Sequence, residues 1–464
     1  MFSPSRTSKL FPSTFRDRLN HLKSSNSVCV VNTGVDPRLE LAAIVRRFVH
    51  SANIDAALLF NHVNGCKWPV LTNLFSSKMR INQLVGGQTF SSLFELSDTL
   101  DKGINSFTLF STWLQGQEDL VTVAGELPAQ DELNGLDQLP ALQVWPKDGG
   151  HYLSMAVVIC RALDGEELSC GLYRVQVHGN RLATIHWRAG SDGARLFASY
   201  QNAGVAMPVT IVLGCEPALT YSAAFPLPPG CSEFNFAAFL QQQPIMIHDS
   251  SNSDIPVPAT SEFVLEGVVS AKQQMYDGPF GNHQGFYTDK VLCPLFELKQ
   301  LTARKDAIFP ASIVGPPPSE SSVIGASFID FILPLMQREI EQLVDIYMPQ
   351  ETVYHGCALI RLRVDAMIEQ VKSQIIQAPM FRNSKLLVFV DEYIDVKAPA
   401  RVLWRIMNQS LNDVVQFKGG KMVIDATRWN KGARRLLNSD PDTEQLLNKR
   451  WAEYGLGSMV GDNQ

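Results

Sequence analysis

Along the chain, the spacing of apolar and polar positions changes character twice. Ser27 to Val31 is a short apolar run that predicts a strand, Leu39 to Phe48 repeats its apolar residues at helical spacing, and Ala56 to Phe60 predicts a second strand. Asp36-Pro37 supplies a helix start. Strand, helix, strand predicts an α/β unit, with helical patterning continuing towards Thr112. The polar, proline-containing stretch from Glu126 to Gln143 predicts a linker or long loop.

Beyond it the pattern turns to β. Ser154 to Cys160, Gly171 to His178, Leu182 to Arg188 and Pro208 to Leu213 are short runs rich in Val, Ile and Tyr, separated by turn signals, and together they predict a small barrel. Gly179-Asn180 reads as the two-residue turn of a hairpin. Period-two alternation then places Arg174, Gln176 and His178 on one face and Tyr173, Val175 and Val177 on the other. The apolar run Phe263 to Val269 predicts a buried strand, and Asp277-Gly278-Pro279-Phe280-Gly281-Asn282 a tight loop. That loop reads either as a turn on a barrel rim or as backbone brought close to a ligand, since its glycines leave no side chain in the way.

From Arg304 onward helices and strands alternate again, after the punctuation of Phe309-Pro310 and Pro316-Pro317-Pro318. Ile324 to Glu341 predicts a helix that Pro334 should kink or divide. Val364 to Ile376 predicts another helix, Lys385 to Val390 a strand, and Thr443 to Tyr454 a terminal amphipathic helix. No internal repeat is visible. The expected regions are 1–120 (N-terminal α/β), 121–310 (β-barrel), 311–440 (C-terminal α/β) and 441–464 (helix and tail).

Composition narrows the class. The chain has 464 residues, enough for two or three domains with real cores, and its 45% hydrophobic and 19% charged residues are those of a soluble globular protein. With 46 acidic against 40 dispersed basic residues, a net charge of −6 argues against a nucleic-acid partner, which requires a basic stripe. No run approaches the roughly 18 apolar residues of a membrane span. Residues 1–16 hold Arg6, Lys9, Arg16 and no acid, a composition shared with transit peptides, but Phe15 to Leu22 already reads as domain, so a short tail is preferred. Eight scattered cysteines without a CxxC pair predict buried free thiols in a reducing cytoplasm.

Nucleotide fingerprints are absent. No G-x-G-x-x-G follows a strand, and Lys418-Gly419-Gly420-Lys421 fails as a phosphate loop because Val415 stands where its first glycine belongs. Arg174 draws attention for another reason: a carboxylate substrate needs a fixed, bidentate cation, and a guanidinium paired with Asp277 would hold that acid ionised. Alone, an arginine in a hairpin is a solvated surface residue. His283 titrates near neutrality and is a candidate acid, or simply a solvated turn residue.

The loop from Asp277 to Asn282, followed by Gly285-Phe286-Tyr287, resembles the signature of the UbiD decarboxylases, and the resemblance runs from Val35-Asp36-Pro37-Arg38-Leu39-Glu40 to Lys449-Arg450-Trp451-Ala452-Glu453-Tyr454-Gly455. It implies an α+β and α/β multidomain fold with a flavin-reductase-like split barrel in the middle. It also implies a lyase that reversibly decarboxylates an aromatic or α,β-unsaturated acid with prenylated FMN, supplied by a flavin prenyltransferase. Two alternatives are a homologue that keeps the fold as a binding or structural subunit and a flavin enzyme of altered chemistry, since fold does not settle function.

By the same resemblance, Arg174, Asp277, Asn282 and His283 are catalytic candidates. Ser169, Arg174, Gln176, Trp187, Arg188, Glu233, Pro279 and Phe280 are flavin contacts, and as an alternative to a metal His186, Arg188 or Lys272 would contact the phosphate directly. The family holds the flavin phosphate through a divalent metal, manganese, on Asn, His and Glu, with potassium nearby. Here those positions carry Ser169, Gly190 and Glu233, leaving Glu233 as the one strong ligand and implying weakly held ions; as a bland alternative, Glu233 caps a helix. Asp277 replaces the family's glutamate and Asn282 its second acid. A homodimer or larger assembly, docked through the terminal helix, completes the expectation.

Overall fold

The computed structural model of the chain describes residues 14–51, 55–86, 110, 112, 114, 120–123, 130–227, 230–250, 252–363, 368–427 and 440–455. Its contacts divide into two compact units, Met1–Glu339 with Pro349–Tyr354, and Ile340–Met348 with His355–Gln464.

The first unit begins with helix α1 (Phe15–Ser24), strand β1 (Val28–Val31), helix α2 (Glu40–His50) and strands β2 (Ala57–Phe60) and β3 (Val70–Thr72). The strands form a mixed sheet that a fourth, Phe309–Pro310, joins from far along the chain. Helix α2 starts four residues after the expected Asp36 because Asp36 is spent on the preceding turn. Its Oδ1 accepts the Arg38 amide at 2.7 Å, and its own amide donates to Glu40 Oε2 at 2.7 Å. Leu41, Ala42 and Val45 then form the buried stripe of the helix.

The barrel is built from β6 (His151–Arg161), β7 (Leu168–Val177), β8 (Leu182–Ile185), β9 (Met207–Leu213), β12 (Phe263–Asp277) and β15 (Val291–Arg304), counting as β4 and β5 the short strands Val121–Val123 and Gln130–Glu132, and as β10 and β11 Ile245–Asp249 and Pro256–Pro258. Neighbours are antiparallel in the order β12-β9-β6-β7-β8-β15, and β12 pairs with β15 to close the ring. Val157, Val175, Ile211, Leu265 and Phe296 are completely buried. Strand β12 outruns the apolar run that predicted it by eight residues, because pairing with β15 resumes after an irregularity at Val269/Gln274 and continues to Asp277↔Val291. Asp277 is therefore a strand end and not a loop residue.

The β7–β8 hairpin forms with Val175 opposite Ile185, and the strand ends there rather than at Arg188. The expected linker from Glu126 to Gln143 is, over its described residues 130–143, packed structure. Strand β5 pairs with β15, and Leu136, Leu139 and Leu142 are buried. Helix α7 (Glu320–Glu339; among the described residues the helices between α2 and it are numbered α3 Lys78–Val85, α4 Asp192–Ala203, α5 Pro217–Ala224 and α6 Glu233–Gln241) runs unbroken through Pro334. It is not divided because a proline costs about 3 kcal/mol of local helix energy, which tertiary burial offsets. Val323, Ile324, Phe331, Ile332 and Leu335 all sink into the unit.

The second unit is a five-stranded sheet. Leu343–Tyr347, Cys357–Leu362, Leu386–Asp391, Lys421–Ala426 and Val415–Lys418 lie side by side in that order, the central three parallel. Of the helix expected at Val364 to Ile376, residues 364–367 lie outside the described residues and Ile368–Gln377 is helical. The terminal helix spans Pro441–Arg450, capped by Asp440, and a 3₁₀ turn follows at Trp451–Tyr454; none of its residues is buried. All eight cysteines are free thiols, six of them buried. Among the described residues no helix is long and apolar enough to cross a membrane.

One buried charge ties α1 to the barrel. Glu262, fully buried just before β12, accepts Arg16 Nε and Nη2 at 2.6 Å each and the Ile308 amide at 2.7 Å. Arg16→Ala strands that carboxylate and should lower the unfolding free energy by about 3 kcal/mol in urea denaturation. A loss below about 1 kcal/mol would show the pair to be screened like a surface bridge.

Candidate functional site

The loop after β12 is clamped by groups far away in sequence. Gln176 Oε1, at the end of β7, accepts the Gly278 amide at 2.7 Å and the Tyr152 hydroxyl at 3.0 Å. Asp148 Oδ1 accepts the Gly281 amide at 2.8 Å, while its Oδ2 accepts the amides of Val144 (3.1 Å) and Trp145 (2.8 Å). A β-carbon on Gly281 would lie 2.2 Å from the Trp145 ring, so glycine is required there for close approach. Gln176 is 3% exposed and Asp148 7%. The amide of Gln176 thus anchors the loop from beneath. Asp148 was not singled out in the sequence.

Above these anchors sits a charged cluster. Arg174 Nε donates to Asp277 Oδ1 at 2.9 Å, Arg174 Nη2 bonds the same oxygen, and the guanidinium lies 4.6 Å over the Phe280 ring. Thr184 Oγ1 approaches Asp277 Oδ2 at 3.5 Å. His186, cross-strand from Arg174, places Nδ1 at 3.2 Å from Arg174 Nη2, 3.4 Å from Cys293 Sγ and 3.7 Å from Asp277 Oδ1. Burial pushes the Cys293 thiol up to about 12. His186, Asp277 and Cys293 are close enough to suggest a metal site, but the guanidinium that bonds both His186 and Asp277 holds the place a cation would need, and like charges exclude each other there.

A second corner lies around the start of α6. Glu233, its first residue, accepts the Cys170 amide on Oε2 at 3.2 Å, next to the buried Ser169. Burial pushes the Glu233 carboxyl up to about 8, and Asp192 and Glu167 add to the rise. Ser232, not Glu233, caps the helix. Trp187 stacks on Phe197 at 5.0 Å, and its Nε1 is buried without a hydrogen-bond partner. Arg188 and Lys272 are exposed, and Gly190, also exposed, has φ +83.

The other two catalytic candidates lie apart from the charged cluster. Asn282 Oδ1 accepts the amides of Gln284 (2.9 Å) and Phe286 (3.3 Å), so this side chain holds the turn. His283 packs its ring 5.9 Å from that of Tyr354. A cleft of about 570 Å³, lined in part by Val45, Arg46, Trp145, Ile313 and Glu320, includes none of Arg174, His186 or Asp277. Size alone does not mark the site.

Three domain profiles of the 3-octaprenyl-4-hydroxybenzoate carboxy-lyases match in order: the N-terminal domain over residues 19–100, the Rift-related domain over 122–317 and the C-terminal domain over 323–422. The chain belongs to the UbiD family. Uncharacterised proteins of Archaeoglobus fulgidus and Aquifex aeolicus are each 28% identical, over 94% and 95% of this chain and 98% of theirs. The fold is that of the vanillic acid decarboxylase of Sedimentibacter hydroxybenzoicus in its closed form (TM-score 0.81, 22% identity, 97% of this chain and 100% of that one). It is equally that of the UbiD-class enzyme HmfF of Pelotomaculum thermopropionicum in complex with FMN (TM-score 0.79, 20% identity, 95% and 99%).

Glu233 generates a prediction about pH and metal. Its unfolded carboxyl releases a proton near 4.5 while the folded one keeps it to about 8, so between those values stability falls as pH rises. A divalent cation, which needs the ionised form, should reverse the fall. Chemical denaturation of the apoprotein at pH 5 and 8, with and without millimolar manganese, is expected to show both effects in the wild type and neither in Glu233→Gln. With a single ionisable ligand the ion should leave on chelation; stoichiometric manganese surviving that treatment would mean that other residues hold it.

Proposed function

We propose that the chain is a UbiD-type carboxy-lyase that reversibly decarboxylates an aromatic or α,β-unsaturated carboxylic acid with prenylated FMN. The single observation that carries this reading is the Arg174–Asp277 pair, whose acid is fully buried while the guanidinium keeps 13% of its surface open. Such an arginine is held in one orientation by its partner and keeps donors to spare for the carboxylate of a bound acid.

The residues fit the cofactor. Trp187 Nε1 is a buried donor awaiting an acceptor, Arg188 offers a cation to a phosphate, and Glu233 is a buried acid whose ionisation a cation would favour. When bound, the flavin supplies the electron sink for loss of carbon dioxide. In this chain Arg174 orients the acid, Asp277 orients Arg174, and Gln176 and Asp148 hold the loop of Pro279 and Phe280 against them. Manganese is held weakly through Glu233, with potassium beside it, and a flavin prenyltransferase supplies the cofactor. The eight free thiols suit a reducing cytoplasm. The terminal helix Pro441–Arg450, with Leu446 48% exposed, docks on a second copy of the chain.

A second reading is a homologue that keeps the fold as a binding or structural subunit without decarboxylating. It is favoured by Asn282, whose amide cannot act as an acid and is engaged by the loop backbone.

Mass spectrometry of the bound cofactor after co-expression with a flavin prenyltransferase separates these readings, because protein that stays empty supports the non-catalytic one. In the loaded enzyme, Arg174→Ala should lower kcat/KM for carbon dioxide release by about 100-fold or more. Full activity in that variant would refute the carboxylate clamp. Asn282→Asp tests whether a lost acid limits the rate: a faster variant means that it does, and a slower one that another group delivers the proton.

A further inference from the structure

The hydrogen-bonding groups at the mouth of the barrel divide into spent and open ones. The Asp277 carboxylate is 0% exposed; Arg174 holds its Oδ1 and Thr184 Oγ1 approaches its Oδ2. Arg174 spends Nε on Asp277, and Nη2 on Asp277 and His186 Nδ1. Its Nη1 has no partner among the described residues and is not sealed from water, in a side chain 13% exposed. A guanidinium fixed along one edge therefore offers its other edge outward.

His186 stands beside it. Its backbone amide donates to the Arg174 carbonyl at 3.3 Å, which sets the two side chains next to each other across β7 and the end of β8. Arginine has donors only, so the 3.2 Å contact from Arg174 Nη2 makes His186 Nδ1 an acceptor, and the neutral ring carries its hydrogen on Nε2. Cys293 Sγ, 3.4 Å from the same Nδ1, braces the ring from the β15 side. Burial and then Arg174 push the His186 pKa below its usual 6.5, with Asp277 opposing them and Arg188 adding to the fall, so the neutral ring is the form present at pH 7. Nε2 has no hydrogen-bond partner among the described residues and is not sealed from water, in a side chain 29% exposed.

The open groups of this cluster are thus both donors, while Asp277, Thr184 and Cys293 are buried. Two adjacent donors, one of them charged, fit an oxyanion. We propose that His186 is a substrate-binding residue, whose Nε2–H donates to one oxygen of the substrate carboxylate while Arg174 Nη1 donates to the other. That the acid is a substrate rests on the decarboxylase reading above. No proton is transferred in this role, and the ring keeps its hydrogen on Nε2 throughout.

The pairing restricts the class of acid. An ammonium beside the carboxyl, as in an α-amino acid, would meet the guanidinium with no open acid to offset it. A carboxamide of the same shape has a single acceptor oxygen and turns its NH2 against the second donor. The phosphate of a flavin shares the oxyanion chemistry, but Trp187 Nε1, buried without a partner, and the exposed Arg188 are there to meet it, which leaves His186 to the acid.

Binding can be read before any turnover. Benzoate, benzamide and inorganic phosphate are titrated calorimetrically into the apoprotein and into protein loaded with FMN, and imidazole ¹⁵N NMR of the wild type follows the His186 ring. The ring should be the Nε2–H tautomer, and its Nε2 proton should shift downfield with benzoate but not with phosphate or FMN. His186→Phe should weaken benzoate by about 10-fold or more and benzamide by less than about 3-fold; a merely structural role would weaken both alike. In the enzyme loaded with prenylated FMN, the same variant should act mainly on KM for the acid and little on kcat. The Nδ1–H tautomer, a shift with phosphate or FMN in place of benzoate, an equal loss of both ligands, a loss confined to kcat, or no benzoate binding in either form would each overturn the proposal. A loaded wild type that binds benzoate through His186 yet releases no carbon dioxide from any acid keeps the carboxylate clamp and overturns the decarboxylase reading alone.

Discussion

Strand β12 is paired along both edges, to β9 over Phe263–Val269 and to β15 along most of its length, and this double pairing closes the barrel. A closed ring leaves no unpaired strand edge, so its backbone polar groups are satisfied inside the fold. The same strand delivers Asp277 to the barrel mouth. Every group of the candidate site is located relative to that ring: Arg174 and Gln176 on β7, His186 at the end of β8, Cys293 on β15. The separation of 103 positions between Arg174 and Asp277 is bridged by strand register, which allows no sliding.

A buried ion pair at a barrel mouth costs desolvation, and burial alone would not stabilise it. What makes it tolerable here is extent. Arg174 meets Asp277, His186 and the face of Phe280 together, while Gln176 and Asp148 occupy the polar groups of the adjoining loop. Networks of this kind are stable when every member is satisfied and fragile when one is removed. Clefts lined by apolar and mixed groups, such as that beside Trp145, carry no such constraint, and the chemistry follows the network.

The departures from the family signature form a consistent set. Shortening the first loop acid to aspartate lets it withdraw wholly behind Arg174, and replacing the second by Asn282 turns a candidate proton donor into a brace for the Gln284–Phe286 turn. Ser169 and Gly190 offer the proposed metal no strong ligand, and Glu233 is buried and reluctant to ionise.

Local patterning was enough to reveal the hairpin, the shared face of Arg174 and Gln176, the apolar half of β12 and the central strand of the second unit at Lys385 to Val390, because side-chain period and turn chemistry are properties of neighbouring residues. The motif around Asp277 was legible for the same reason. The polar half of β12, the packed segment after Gln130, the unbroken passage through Pro334 and the loop anchors Asp148 and Gln176 were not, since each depends on pairing with another strand or loop, 100 or more positions away for the segment after Gln130 and the two anchors, or on burial that outweighs local preference. His186 shows the limit most clearly. Its sequence neighbours place it inside the expected strand Leu182 to Arg188; cross-strand register and the one-way hydrogen bond of a guanidinium decide which nitrogen holds the proton.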